Sequence, residues 1–323
     1  MTAPNPTVGP ALHSIVFPIY NEEETLSRLF AILKDELFPG IQKSGDKLEV
    51  LFVNDGCVDR SQEILEQEIA KMPFECRILK FSRNFGHQIA ITAGMDLAKG
   101  DSVTVMDADL QDPPRVVHEL IQKWREGNDV VYAVRSKRMK ESVFKRVTAK
   151  AYYRILRFST DLDIPLDTGD FRLMSRRAIN ALNSLREKHR LIRGMAKWIG
   201  FKEAYVYYVR EARFAGETKY TLWKMMKLAW DGLTGFSLTP LRFATYFGLC
   251  TAFVSLGVAA WVFYLRFFTE ATIQGWTSLM VVTSFLGGVQ LFTVGILGEY
   301  VGRIFEQSKQ RPLYVLESEK TNR

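Results

Sequence analysis

The chain is poor in the residues that build disulfide frameworks and zinc sites. Its 323 residues hold three cysteines, Cys57, Cys76 and Cys250, and four histidines. The cysteines are scattered, odd in number and never in CxxC spacing. That argues against a disulfide framework and for a soluble part in a reducing cytosol. The histidines stand isolated in the sequence and are expected to be structural. There is no HExxH and no GxGxxG, and Gly40 to Asp46 (GIQKSGD) imitates a phosphate-binding loop without its Lys-Ser/Thr end. Zinc-finger spacings, RNP-type aromatics and a basic region leading into heptads are missing as well, so nucleic acid is not an expected partner. Residues 1–12 are polar and Pro-rich, with no charged start and no long apolar core; they read as a flexible N-terminus and not as a signal peptide.

What is present begins with an alternation. Apolar strands at His13–Tyr20, Leu48–Val53, Arg77–Phe81, Val103–Met106 and Asp129–Val134 are separated by helical patterns. Leu26, Leu29, Phe30 and Leu33 mark the first helix, and Ile64, Leu65 and Ile69 the second. His87–Ala98 and Val116–Trp124 are the third and fourth. This rhythm predicts an α/β domain with a doubly wound, mostly parallel sheet. Ligands of such sheets bind at the carboxyl ends of the strands. Asn21, Asp55, Asn84, Asp107 and Arg135 all fall there.

The last third differs. Phe243–Leu265 and Trp276–Gly298 carry no charge over about 23 residues each, enough to cross a hydrocarbon core of about 30 Å. Lys219, Lys224, Lys227 and Arg242 precede the first run, and Arg303, Lys309 and Arg311 follow the second. Only Arg266 and Glu270 lie between them. The positive-inside rule then places both termini and the soluble domain in the cytoplasm. Tyr220–Leu238 is amphipathic and suits either the interface plane or the surface of the soluble domain. The expected division is 1–12, a domain at 13–213, a juxtamembrane segment at 214–241, a transmembrane hairpin at 242–302 and a tail at 303–323. Gly287, Gly288, Gly295 and Gly298 would allow close helix–helix approach, and with it a homo-oligomer.

The net charge of +7 is unevenly spread. Between Arg135 and Arg157 lie nine basic residues and only Glu141 against them. Such a run attracts phosphates and anionic lipid. Asp107-Ala108-Asp109-Leu110-Gln111-Asp112-Pro113-Pro114 follows a strand directly. Carboxylates at i and i+2 on a turn can face one hard cation, Mg²⁺ or Mn²⁺, shared with substrate phosphates.

In order along the chain stand Pro18-Ile19-Tyr20-Asn21-Glu22, Val53-Asn54-Asp55-Gly56, Ser82-Arg83-Asn84-Phe85-Gly86, the DADLQDPP run and Thr168-Gly169-Asp170-Phe171-Arg172-Leu173-Met174. With Gly298–Arg303 and Arg311–Tyr314 they resemble the inverting family 2 glycosyltransferases of GT-A fold. More narrowly, they resemble the bacterial polyprenyl-phosphate glycosyltransferases of GtrB type, relatives of dolichol-phosphate mannose synthase. Asn54 stands where many members carry aspartate.

The resemblance implies a nucleotide sugar as donor, UDP-glucose favoured, and undecaprenyl or another polyprenyl phosphate as acceptor. It implies that Pro18, Tyr20, Glu22, Asp55, Asn84, Asp107 and Ala108 bind the nucleotide, Asp55 through the base. Asp107, Asp109 and Gln111 would hold the metal. Asp170, Asp109 and Arg135 would be catalytic, Asp170 as the candidate base or as the group that positions the acceptor. Arg135, Arg146, Arg172, Arg213 and Lys219 would meet the acceptor phosphate, with Asp170 orienting Arg172 or Arg135. No QxxRW motif of the processive synthases occurs, so one transfer per acceptor is expected. A nucleotidyltransferase is the rival enzyme, but it needs a Gly-rich, Arg/Lys-bearing loop where Pro18–Glu22 stands. A two-span scaffold or translocase component is the non-enzymatic rival, and it would leave the acidic motif idle.

Overall fold

In the computed structural model, residues 9–136, 168–210, 239–268 and 275–322 are described. The chain divides into two units. The first comprises Met1–Arg157, Leu162–Thr221 and Pro312–Arg323, and the second Phe158–Asp161 and Leu222–Arg311.

The first unit opens with β1 (Leu12–Ile19) and α1 (Glu23–Ile32), which runs through a π-helical turn (Leu33–Leu37) into α2 (Phe38–Lys43). Then come β2 (Lys47–Asn54), α3 (Ser61–Ile69), β3 (Glu75–Phe81), α4 (His87–Leu97), β4 (Ser102–Val105), α5 (Val116–Arg125) and β5 (Val130–Arg135). After residues 137–167 follow β6 (Thr168–Ser175), α6 (Arg176–Ser184), α7 (Ile192–Trp198) and β7 (Glu203–Tyr208). The second unit contributes α8 (Thr239–Phe268) and α9 (Trp276–Ser308), and β8 (Leu316–Thr321) returns to the first.

The eight strands form one sheet, ordered β7-β5-β6-β4-β1-β2-β3-β8. Six point the same way; β6 runs antiparallel to β4 and β5, and β8 antiparallel to β3. Strand alternation divides β1 between two faces. Ile15, Phe17 and Ile19 join a core with Leu26, Leu29, Phe30 and Trp124. Phe17 stacks on Phe52 with ring centroids 5.6 Å apart, and Phe30 meets Phe52 tilted at 4.7 Å. Each such fully buried side chain contributes about 1.5–3 kcal/mol of transfer free energy. Val16 faces the other way, toward α4. A Cβ on Gly94 would stand 2.1 Å from Val16 Cγ1, so glycine lets α4 lie directly on β1. That fixes the height of the α4 N-terminus above the strand ends.

Pro18 stands inside a central strand, where a missing N–H would ordinarily cost a ladder bond. Val16 accepts a hydrogen bond from Met106 N, so even-numbered residues of β1 face β4. Pairing with β4 reaches only Val16↔Val105. Pro18 therefore lacks its N–H where β1 has outrun β4 and no ladder bond is lost.

Residues 303–323, expected as a tail, behave otherwise in their last third. β8 covers the β3 edge, with Arg77 paired to Glu319 at 2.8 Å and Lys80 to Glu317 at 2.9 Å. In the second unit, α8 and α9 are both long and apolar enough to cross a membrane, over Thr239–Leu265 and Val281–Ser308. Phe253, Trp261, Phe285 and Leu291 are among many large apolar side chains exposed on them.

Candidate active site

Parallel strand order brings the polar strand ends to one edge of the sheet. β1 ends at Asn21, held at φ 55°. Its Oδ1 accepts from Val58 N (3.0 Å), and its N–H donates to Cys57 Sγ (3.3 Å). Tyr20 beside it is exposed, and Glu22 N donates to Ser61 Oγ at 3.0 Å. Glu22 is thus tied to the start of α3, with Pro18 and Tyr20 just before it in the chain.

β2 ends at Asn54-Asp55. Asn54 Nδ2 donates to Gln62 Oε1 (2.6 Å) while its Oδ1 accepts from Cys57 N (2.8 Å). A carboxylate could not make the first of these bonds, which accounts for asparagine here. Asp55 is turned toward the next loop and not toward an open face. Its Oδ1 accepts from Phe85 N (2.6 Å), its Oδ2 from Gly86 N (3.0 Å), and only 3 % of the residue is exposed. Burial raises its pKa, against the pull of those two amides. Gly56, at φ +69°, is needed because a Cβ would stand 2.5 Å from Asn84 N. Asp55 and Gly56 together lock the Ser82–Gly86 loop, and Asn84 is left exposed at its tip.

β4 ends in the acidic run. Leu110 takes φ 58°, a conformation unfavourable for a residue with a Cβ, and it turns Asp109 back on the loop. Asp109 Oδ1 accepts from Gln111 N at 3.1 Å. Asp107 Oδ1 is buried without a hydrogen bond; His87 Nε2 stands 3.5 Å away, out of hydrogen-bond geometry. Burial, with Asp170, Asp109 and Asp112 nearby, raises the Asp107 pKa even against His87. An orphaned carboxylate oxygen beside further carboxylates is what a divalent cation would relieve. Among the described residues no three His, Cys, Asp or Glu side chains form a ready metal cage. Asp107, with Asp109 close by, therefore suits a cation that takes its remaining ligands from elsewhere.

The antiparallel β6 supplies Asp170. Val105 pairs with Arg172, so two residues further along each strand Asp170 faces Asp107. Its carboxylate is clamped on all sides. Arg193 Nε donates to Oδ1 (3.0 Å) and Arg172 Nη2 also to Oδ1 (3.2 Å). Gln88 Nε2 donates to Oδ2 (3.2 Å), and His87 Nε2 lies 3.3 Å from Oδ2. Burial opposes ionisation, but Arg193, His87 and Arg172 outweigh it and hold Asp170 well below the usual carboxylate range. In turn His87 is pushed up to about 9: burial works against its charge, and Asp170 and Asp107 more than restore it.

Asp112 forms a second knot. It is 1 % exposed, receives the Tyr208 hydroxyl, and lies 3.5 Å from Arg135 Nη2 and 3.3 Å from Arg210 Nε. Arg135 Nε also donates to Tyr208 Oη at 3.3 Å.

Several expectations change. His87 is not an isolated structural histidine; it bridges Asp107 and Asp170. Arg172 is 1 % exposed, under Asp170, with donors on Ile192 O and Gly169 O, so an acceptor phosphate has no approach to it. Asp170 orients Arg172 and Arg193, whereas Arg135 belongs to Asp112. Arg146, Arg213 and Lys219 lie outside the described residues, as do the amphipathic Tyr220–Leu238 and most of the basic run. Gln88, Arg193 and Tyr208 carried no sequence signal beyond their residue type, because each acts across strands or from a helix distant in sequence.

Residues 14–182 match Glycosyl transferase family 2, and residues 239–304 match the GtrB C-terminal hairpin. A Bacillus subtilis (strain 168) protein called uncharacterized glycosyltransferase YkcC is 49% identical over 305 residues, covering 94% of this chain and 93% of its own. The bactoprenol glucosyl transferase of Shigella phage SfV is 40% identical over 309 residues, covering 95% and 98%. A solved glucosyl-3-phosphoglycerate synthase from Mycobacterium tuberculosis, with Mn²⁺, UDP-glucose and phosphoglyceric acid, superposes with TM-score 0.47 at 18% identity, over 69% of this chain and 78% of that one.

Proposed function

Because the chain belongs to glycosyltransferase family 2, we propose that it moves one hexose from a nucleotide sugar to undecaprenyl phosphate, or another polyprenyl phosphate, with inversion. Glucose is the favoured sugar and UDP-glucose the favoured donor, in keeping with relatives called bactoprenol glucosyl transferase. The observation that carries the reading is the meeting of Asp107, Asp109 and Asp170 at one sheet edge in a chain that also has two membrane-length helices. The acceptor's prenyl chain stays in the bilayer, so an enzyme anchored there meets it in two dimensions. The catalytic domain and both termini are assigned to the cytoplasmic side of a bacterial inner membrane.

An acceptor phosphate oxygen attacks the anomeric carbon as the bond from that carbon to the nucleoside diphosphate breaks, and the diphosphate leaves with the bonding pair. Mg²⁺ or Mn²⁺ held by Asp107, Asp109 and Gln111 would offset the charge gathering on the leaving group. Pro18, Tyr20, Glu22, Asn84 and Ala108 lie at the strand ends where the nucleoside fits, and Asp55 shapes that wall by holding the Ser82–Gly86 loop. Arg135 heads the acceptor side, with Arg146, Arg213 and Lys219 assigned to it from sequence.

Asp170 is a poor general base. Its pKa is held too low to accept a proton near neutrality, and its oxygens already receive four side chains. A phosphate monoester has a second pKa of about 6, so it arrives largely as the dianion and needs alignment more than deprotonation. Asp170 supplies that alignment by fixing His87 and Arg193 around the reaction centre.

The test is radiolabel transfer from a panel of nucleotide sugars to undecaprenyl phosphate, with purified full-length protein and Mg²⁺. A lipid-soluble product from one donor, lost with EDTA and in Asp109→Asn, is the expected result. Folded protein in lipid that yields no product from any donor would overturn the reading.

A further inference from the structure

Four carboxylates crowd the edge where the metal is assigned: Asp107, Asp109, Asp112 and Asp170. Their cations are unequal in how firmly they are held. Asp170 has the close Arg193 and Arg172 pairs. Asp112 is already met by Arg135 and by the Tyr208 hydroxyl. Arg210 comes to this group as a further cation and straddles two acids, with Nε 3.3 Å from Asp112 Oδ1 and Nη2 3.9 Å from Asp109 Oδ2. Neither contact is a well-formed bond. The Nε–H is buried yet has no hydrogen-bond acceptor in line, although Asp112 is so near. A buried guanidinium donor left unmet is costly. Arg210 is thus held by charge and not by geometry, next to a metal-assigned carboxylate.

The geometry points to Arg210 as a stand-in cation. Without nucleotide it neutralises Asp109 and Asp112 and opposes metal entry; when a donor binds, its fork moves to the diphosphate and the metal takes its place at Asp109. This rests on the metal and nucleotide assignments above and adds to them a coupling: metal capture depends on nucleotide. Two features of the site favour such a move. A planar guanidinium matches phosphate oxygens in pairs, which it does not do with the two acids here. Arg210 also lies just beyond the end of β7, past Arg135↔Tyr208, the last ladder pair of β7 among the described residues.

The measurement is Mn²⁺ binding to full-length protein in detergent, by electron paramagnetic resonance of the free ion, with and without saturating UDP. In the wild type, Mn²⁺ alone binds weakly and UDP tightens it by at least about tenfold, a common size for coupled sites. In Arg210→Gln, Mn²⁺ alone binds roughly tenfold more tightly and the gain from UDP shrinks by a similar factor. Arg210→Lys keeps the charge, so its binding of Mn²⁺ alone stays near the wild-type value. An Arg210→Gln variant with unchanged or weaker binding of Mn²⁺ alone overturns the proposal, and so does a lysine variant that gains affinity as glutamine does. Should the glutamine variant not fold, the lysine arm decides. Failure of the metal reading has its own signature: the wild type and Asp109→Asn then bind Mn²⁺ equally poorly with UDP present.

Discussion

At the scale of residues, the site is an arrangement of paired charges. Asp170 depends on Arg193, which is 31 % exposed in its side chain and reaches it from α7. Arg193→Gln should lower kcat by on the order of a hundredfold, since a small displacement of an aligning group has that effect. If Arg193 works through Asp170, the double variant with Asp170→Asn falls no further than Asp170→Asn alone; additive losses would refute the coupling. A different residue makes stability fall on the acid side. His13 is buried, and burial pushes its imidazole below the ordinary value despite Asp46 at 3.3 Å. The unfolded chain therefore takes up the proton first, and stability is lost as pH falls below 6.5 toward the folded value. The slope is up to about 1.4 kcal/mol per pH unit. Asp46, whose pKa is lowered by Ala11 N–H, Arg125 and His13 in spite of burial, adds its own loss only below 3.8. Thermal unfolding from pH 7 to 5 should show the first loss in the wild type and a flatter profile in His13→Gln.

At the scale of elements, the late strands matter most. β6 enters antiparallel between β4 and β5 and so carries its first residues, not its last, to the site edge. β8 closes the opposite side of the sheet, where an open β3 would be a pairing edge. Asn322 anchors it: its Oδ1 accepts from Cys76 N at 2.9 Å, and its Nδ2 donates to Ile69 O and Phe74 O, each at 3.0 Å. Asn322→Ala should cost about 2 kcal/mol, because it leaves backbone groups beside α3 and β3 without partners. A melting temperature equal to that of the wild type would mean that β8 is not held on the sheet in solution. Tyr314 stacks on Phe81 with centroids 5.4 Å apart, and Val315 O accepts from Ser82 N (3.1 Å). The C-terminal segment thereby braces the Ser82–Gly86 loop from behind.

At the scale of the molecule, the proposed function gives the two units two tasks: a polar site for a charged donor, and apolar helices for a lipid acceptor. If both termini are cytoplasmic, as proposed, the segment 269–274 between α8 and α9 is expected on the outer side. Thr272→Cys should react with a membrane-impermeant maleimide on intact cells, and Gln310→Cys only after permeabilisation. The reverse pattern would invert the topology and remove the nucleotide sugar from the site.

The sequence by itself determined the parallel framework, the two apolar spans and the acidic loop after β4. These rest on local signals: strand and helix periodicity, an uncharged run longer than a bilayer core, and carboxylates two residues apart. Asp107 and Asp109 stood out by that spacing, whereas Asp170 was marked only by the resemblance that the Thr168–Met174 run carries. What only the tertiary structure decided is who faces whom. His87 stands between Asp107 and Asp170, Arg172 lies beneath the site while Arg193 flanks it, Asp55 turns to a loop, and the last residues complete the sheet. Each of these depends on strand order and register between segments up to 253 residues apart, as between Ile69 and Asn322. Periodicity along the chain carries no record of such pairings, because it reports which face a residue takes and not what lies across from it.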